Sequence, residues 1–432
     1  MTPELILFTL GCSLLIPLAA AGLGLIHQGL GRSRSAAHAM LATLCAFAIA
    51  AILTVAVGFS FAIGTPGSAH SFTAAGAHWD WLGRGPFFAH DIHFDSPDPF
   101  SLGLALKLCF LIFAAGLAAM PAISAGADRW RLAASCLATA ALALFFFPLF
   151  AHWTWGGGWL TQLPANFNLP AFTDVGGAAS IQAVGGLMAA CIAWITGPRR
   201  GKFEANGMPA AIPGHNIVQV LFGCLLALVG WIALESAASI LFYAATPLHI
   251  AAVILNATLA ASGGFLAAVL FTRARYRKPD ASIAANGWIA GLVAGSAACF
   301  LISPAAAIFV GTVAGLLVTW MIEIAELRLQ VDDPGGAVSV HAGAGIWGLL
   351  AAGLLGHFAG LSPAEHLLSQ MVGIAALLGL MFPLVYAANI LLDRISPHRV
   401  DADGDWKGMD IRELGAGAYP EFVIHADDYL PR

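Results

Sequence analysis

The sequence predicts an all-α polytopic membrane protein of eleven transmembrane helices, built as two inverted five-helix repeats plus one extra helix. Three observations carry this: the composition, the spacing of the basic residues, and one segment that occurs twice. Of 432 residues, 59% are hydrophobic and only 10% are charged, with a mean hydropathy of +0.82. A soluble domain carries roughly 25% charged residues, so the chain belongs in a lipid bilayer.

A span needs about 20 apolar residues. Such runs fall at 5–27, 37–62, 99–124, 131–152, 174–196, 214–241, 249–272, 282–302, 305–326, 334–360 and 366–392. The first opens with "MTPELILFTLGC", which lacks a basic flank and runs straight into apolar sequence, so it reads as a membrane helix rather than a signal peptide. Basic residues follow the odd-numbered spans. Arg32 and Arg34 follow the first, Arg129 and Arg131 the third, Arg199, Arg200 and Lys202 the fifth. Arg273, Arg275, Arg277 and Lys278 follow the seventh, Arg328 the ninth, and Arg394, Arg399, Lys407, Arg412 and Arg432 the eleventh. Of the 19 Lys and Arg, only Arg84 and Lys107 lie elsewhere. This bias places the N-terminus outside and the C-terminus inside. The expected units are a membrane domain over 1–393, with repeats at about 5–196 and 214–360 and the extra helix at about 366–392, then a cytosolic tail over 394–432.

Segment 63–98 is then external, and its "HDIHFD" (His90, Asp91, His93, Asp95) reads as an exposed polar loop rather than a metal site. The seven cysteines sit singly in apolar runs and read as small buried hydrophobes. No phosphate loop, metal cluster or nucleophile triad is present, so the sequence points to no enzyme, no cofactor and no nucleic-acid partner.

The duplicated segment is "DVGGAASIQAVGG" (174–186) and "DPGGAVSVHAGAG" (333–345). The copies open the fifth and tenth spans, which run in opposite directions, so the halves form an inverted-topology repeat with its site near the bilayer midplane. From Asp174 to Gln182 and from Asp333 to His341 is the same spacing, about 12 Å at the helical rise of 1.5 Å per residue. Starting from opposite faces of a core about 30 Å thick, Gln182 and His341 arrive near the middle and face each other. Each aspartate stands at a helix start, where a carboxylate caps free N–H groups. A histidine within a span is a functional candidate by default.

These residues resemble the ammonium transporter (Amt/Mep/Rh) family. The resemblance runs through "GLGLIHQGLGRSRS" (22–35), "AHWTWGGGWL" (151–160), "DVGGAASIQ" (174–182), "KPDASIAANGWIAGLVA" (278–294), "DDPGGAVSVHAGAGIWGLLAAGLL" (332–355) and "GMDIRELGAGAY" (408–419). It implies a homotrimer in a cell membrane, such as a prokaryotic cytoplasmic membrane, with one narrow pore per subunit. It also implies an outer cation site at Trp155, near Asp174, and a pair of pore histidines whose second member is His341. Gln182 stands where the first belongs. In "GWIALESAAS" (230–239), Leu234, Glu235 and Ala238 stand where the family commonly has a gate Phe, an Asn and a Ser. Phe110 and Phe113 are candidate gate residues, and Lys107 is expected to pair with Glu235 or to snorkel outward.

The implied function is a channel or transporter for ammonium or ammonia, with methylamine a further substrate. Alternatives are a non-conducting ammonium sensor or a neutral-gas channel of the Rh kind. Gln has no proton-accepting site near neutral pH, so Gln182 cannot complete a two-histidine relay, and weak net charge transfer is expected. The tail resembles the family's element that packs under the trimer and answers to PII-type regulators, with Leu414 where His is common.

Overall fold

The structure is a computed structural model, and it describes every residue except 66, 96–97, 358–361 and 420–432. The end of the second expected repeat (358–360) and the tail from 420, with Arg432, therefore lie outside the described residues. Among the described residues, ten helices are long and apolar enough to cross a membrane. They are α1 (Pro3–Leu30), α2 (Ser33–Ala62), α3 (Pro99–Ala125), α4 (Leu132–Trp155), α5 (Ala178–Thr196) and α6 (Ile217–Tyr243). After them come α7 (Pro247–Tyr276), α9 (Pro304–Leu327), α10 (Val338–Leu355) and α11 (Pro363–Ile395). The expected span at 282–302 is α8 (Ala281–Ser296), whose 16 residues fall short of the usual spanning length.

Local chemistry sets the helix boundaries. Asp98, Asn216, Asp280 and Ser303 cap α3, α6, α8 and α9, and Ser362 forms a capping box with Glu365 at α11. Pro17, which lacks an N–H, breaks α1 into two pieces at Ile16. The fifth and tenth spans each start four residues later than expected. Asp174 and Asp333 stay in the preceding loops, and both helices open with a π-helical turn, Ala178–Ala183 and Val338–Gly343. Of the seven cysteines, Cys12, Cys191, Cys224 and Cys299 are buried as expected, whereas Cys45, Cys109 and Cys136 are half-buried.

Helices α1 and α6 pack on each other through glycine. A side chain on Gly22 of α1 would begin 2.5 Å from the Gly223 carbonyl oxygen of α6, and one on Gly223 would begin 2.6 Å from that of Gly22. The contact is reciprocal, so a larger residue at either glycine would push the two helices apart. At one end of the bundle, strands β1 (Ala69–Ala74) and β2 (Ala77–Gly83) form a hairpin, where Trp153 donates to the Trp81 carbonyl oxygen at 2.8 Å. In the same loop region the Asp91 carboxylate accepts from Thr65.

At the opposite end, where the tail leaves α11, the basic segments converge on carboxylates. Arg199 grips Asp332 with two bonds of 2.9 and 3.0 Å and reaches Asp128 at 2.9 Å. Arg129, fully buried, donates to the carbonyls of Gly197, Ala127 and Asp332. Burial alone would raise the Asp332 carboxyl, but Arg129 and Arg199 beside it bring it down to about 2. The tail then folds back over this end through helix α12 (Ala402–Lys407). Neither α2 nor α4 has a capping side chain of its own, and the tail provides both caps. Asp410 accepts from the N–H groups of Ala37 and His38, at 3.2 and 2.8 Å, and Glu413 accepts from that of Leu132 at 2.7 Å.

Asp332→Asn removes the carboxylate that buried Arg129 and Arg199 share, leaving Arg199 with Asp128 alone, and is expected to cost about 3–5 kcal/mol. Because the folded-state carboxyl is held below its ordinary value near 3.8, its contribution is full above pH about 4 and disappears as pH falls toward 2. Chemical unfolding at pH 6 and at pH 2 should show a variant deficit at the first pH that shrinks at the second.

Candidate functional site

The duplicated segments meet inside the bundle. His341 Nδ1 lies 2.7 Å from Gln182 Oε1, and both side chains are at most 1% exposed. The two residues therefore meet as the sequence predicted, on the opening π turns of α5 and α10. Such turns recur at functional sites, where they re-aim side chains out of the regular helical array. With the amide oxygen toward the ring, Nδ1–H donates to Gln182 and Nε2 keeps its lone pair. Gln182 Nε2 is buried and has no partner among the described residues.

The aspartates act as caps. Asp174 is fully buried and accepts from the N–H groups of Ala179 and Ser180, at 3.0 and 2.8 Å, and from the Ser180 hydroxyl at 2.7 Å. Asp333 accepts from the Val338 N–H at 2.7 Å. Asp174 also shapes the hairpin-end mouth through its backbone. Its carbonyl accepts from the Trp155 indole N–H at 2.9 Å, and its N–H donates to the Tyr243 hydroxyl at 3.0 Å.

That mouth is aromatic. Trp155 stacks on Phe242 with centroids 5.0 Å apart and planes 5° off parallel, and Phe110 stands edge-on to both at 5.6 and 5.5 Å. Phe242 was missed in the sequence. The signal lay in helical spacing: Leu234, Ala238 and Phe242 recur every fourth residue on one face of α6. The π face absent at Leu234 thus re-enters two turns nearer the hairpin end. Leu234 and Ala238 are fully buried behind it. Of the two candidate gate rings, only Phe110 is at the mouth. Phe113, three residues on along α3, stacks instead on Phe47 of α2 at 5.8 Å.

The expected Lys107–Glu235 pair is not formed among the described residues. Lys107 Nζ lies over the Phe242 ring, 5.9 Å from its centroid, so its charge sits against the aromatic cluster and does not snorkel free of it. Glu235 lies two turns deeper on the same helix and faces α8. Its Oε1 accepts from the Ser296 hydroxyl at 2.7 Å, Ser296 accepts from the Trp231 indole at 2.9 Å, and Glu235 Oε2 has no partner among the described residues. The two charges project toward different neighbours from levels about 10 Å apart by helical rise.

One more residue escaped the sequence reading. His27 of α1 is buried, with its ring 6.5 Å from that of His341 between centroids and 79° from parallel. Its signal was present, since it too is a histidine within a span. No group of three or more residues suited to a metal ion occurs among the described residues.

With this geometry in place, the likeness to known proteins is informative. Residues 7–419 match the model of the Ammonium Transporter Family. An ammonium transporter of Archaeoglobus fulgidus is 30% identical, the alignment covering 98% of this chain and 90% of that protein. An ammonium transporter of Bacillus subtilis is 26% identical over 96% of this chain and 98% of its own length. Among solved structures, one described as a sensor Amt protein superposes with a TM-score of 0.85 at 25% identity, covering 95% of this chain and 98% of that one. Candida albicans Mep2 shares the fold, with a TM-score of 0.81 at 21% identity over 98% and 91% of the two chains.

Because Lys107 has no carboxylate to strand, Lys107→Met is expected to cost only the cation–π contact, about 0.5–1 kcal/mol. Thermal unfolding measures this. A loss near the 3–5 kcal/mol of a broken buried pair would reinstate the ion pair.

Proposed function

The chain belongs to the ammonium transporter family, and from that premise we propose that it carries ammonium or ammonia across a cell membrane. It does so as a homotrimer with one pore in each protomer. The proposed topology has eleven crossings, α8 completing the set, with the N-terminus and hairpin outside and the tail inside. The observation that carries the reading is the Gln182–His341 hydrogen bond at the meeting of the two inverted halves. It places a polar pair within an apolar bundle, beneath an aromatic mouth of the kind that attracts cations.

Lys107 favours a second reading. An alkylammonium already lies over Phe242, where an incoming ammonium ion would meet both its charge and its bulk. A mouth filled in this way suits a receptor that reports ammonium without passing it, and the likeness to a sensor protein points the same way. Ammonium gradients across proteoliposomes holding the full chain separate the readings. Uptake of at least tenfold over empty vesicles upholds transport. No uptake, together with ammonium-dependent protection of the tail from protease, upholds sensing.

The tail is the proposed regulatory element, acting with a PII-type cytosolic partner. Its caps on α2 and α4 make it part of the bundle, and its Tyr419 hydroxyl reaches Gln28 and His215, the former adjoining His27. Asp410→Ala removes a cap and is expected to cost about 0.5–2 kcal/mol and to loosen the tail. Faster proteolysis beyond Arg394 with the trimer intact is the expected result.

A further inference from the structure

Gln182 occupies one side of His341, and the other side is open to a different partner. Ring centroids 6.5 Å apart place His27 too far from His341 for a direct hydrogen bond. The gap matches one small polar molecule bonded to both rings, since each such bond spans about 2.9 Å between heavy atoms. A buried polar atom of the His27 ring points to such a ligand, since His27 Nδ1 has no partner among the described residues. The Cδ2 edge, across the ring from Nδ1, faces Gly335 and Ser124.

We propose that His27 supplies the proton-accepting nitrogen that Gln182 lacks, receiving the proton from His341 through one ammonia molecule held between the two rings. This rests on the reading of the chain as an ammonium conduit. Ammonia has the donors and the lone pair to bridge two imidazoles. A proton arriving on His341 Nε2 passes to the bridging ammonia, and one of its N–H protons on the far side passes to His27. The bridge keeps its number of N–H bonds, and His27 returns the proton to ammonia leaving at the tail end as ammonium. The relay expected to fail at Gln182 is thereby completed from the opposite side, and the wild type carries charge.

The test uses the full chain in proteoliposomes, with ammonia flux read by an internal pH dye and charge read as current on a supported membrane after an ammonium jump. The wild type should give an ammonium-dependent current. His27→Gln keeps a hydrogen-bonding side chain but cannot accept a proton, and it should lower the ratio of current to flux at least tenfold. His27→Phe should do the same, and Gln182→His in either background should restore current by rebuilding a second imidazole. Wild-type flux without current, or an unchanged ratio in folded His27→Gln, overturns the proposal while leaving transport standing. If the wild type shows no flux, transport itself fails, and ring-nitrogen NMR of the histidine-labelled wild type decides the site. A His27 shift on adding ammonium chloride but not sodium chloride upholds it, and no shift, or an equal shift with sodium, overturns it.

Discussion

Helices α5 and α10 approach backbone to backbone, and the Gln182–His341 hydrogen bond depends on that closeness. A side chain on Gly186 would run into the backbone nitrogen of Ala342, the residue after His341. One on Gly345 would begin 2.8 Å from the carbonyl oxygen of Ala178, in the turn that carries Gln182. The close approach is therefore specified from both helices, and larger residues at either glycine would separate the two polar side chains. Without a hydrophobic driving force between helices in lipid, such packing supplies much of the association. The same small residues that hold the halves together thus set the spacing of the pore's centre.

The mouth shows how a pore changes character while the fold stays put. The aromatic cluster survives the loss of a ring at Leu234 because Phe242 lies two turns away on the same face of α6 and stacks flat on Trp155. What differs is the charge already there. Two like unit charges 4 Å apart repel by about 1 kcal/mol in bulk water and by about 4 kcal/mol at the effective dielectric near a protein surface. Lys107 therefore raises the cost of a second cation at Phe242 by an amount that decides occupancy.

The fold was legible in the sequence because its signals are long-range averages. Apolar runs of spanning length and the one-sided placement of Lys and Arg survive local noise. The pairing of Gln182 with His341 was legible because the repeat fixes both positions by symmetry. The mouth was only half legible. Trp155 and Phe110 come together, but Phe113 turned to Phe47, and the Lys107–Glu235 pair did not form among the described residues. Residue type indicates that a charge needs a partner, but the rotation of its helix decides which partner it meets. The tail's capping of α2 and α4 could not be read at all, since Asp410 and Glu413 lie more than 270 residues from the amides they satisfy, His38 and Leu132.

In a well-packed interior, buried donors and acceptors find partners, and exceptions are few. Here Gln182 Nε2 on α5 and His27 Nδ1 on α1 lack one among the described residues. Other such atoms lie elsewhere in the bundle, Asn256 Oδ1 on α7 and Trp130 Nε1 before α4 among them, so an open atom alone marks no route. What distinguishes these two is position, one on the side chain that bonds His341 and the other on the ring beside it. A small polar molecule between them would match atoms that the empty bundle leaves open, and the cost they carry would become affinity for it.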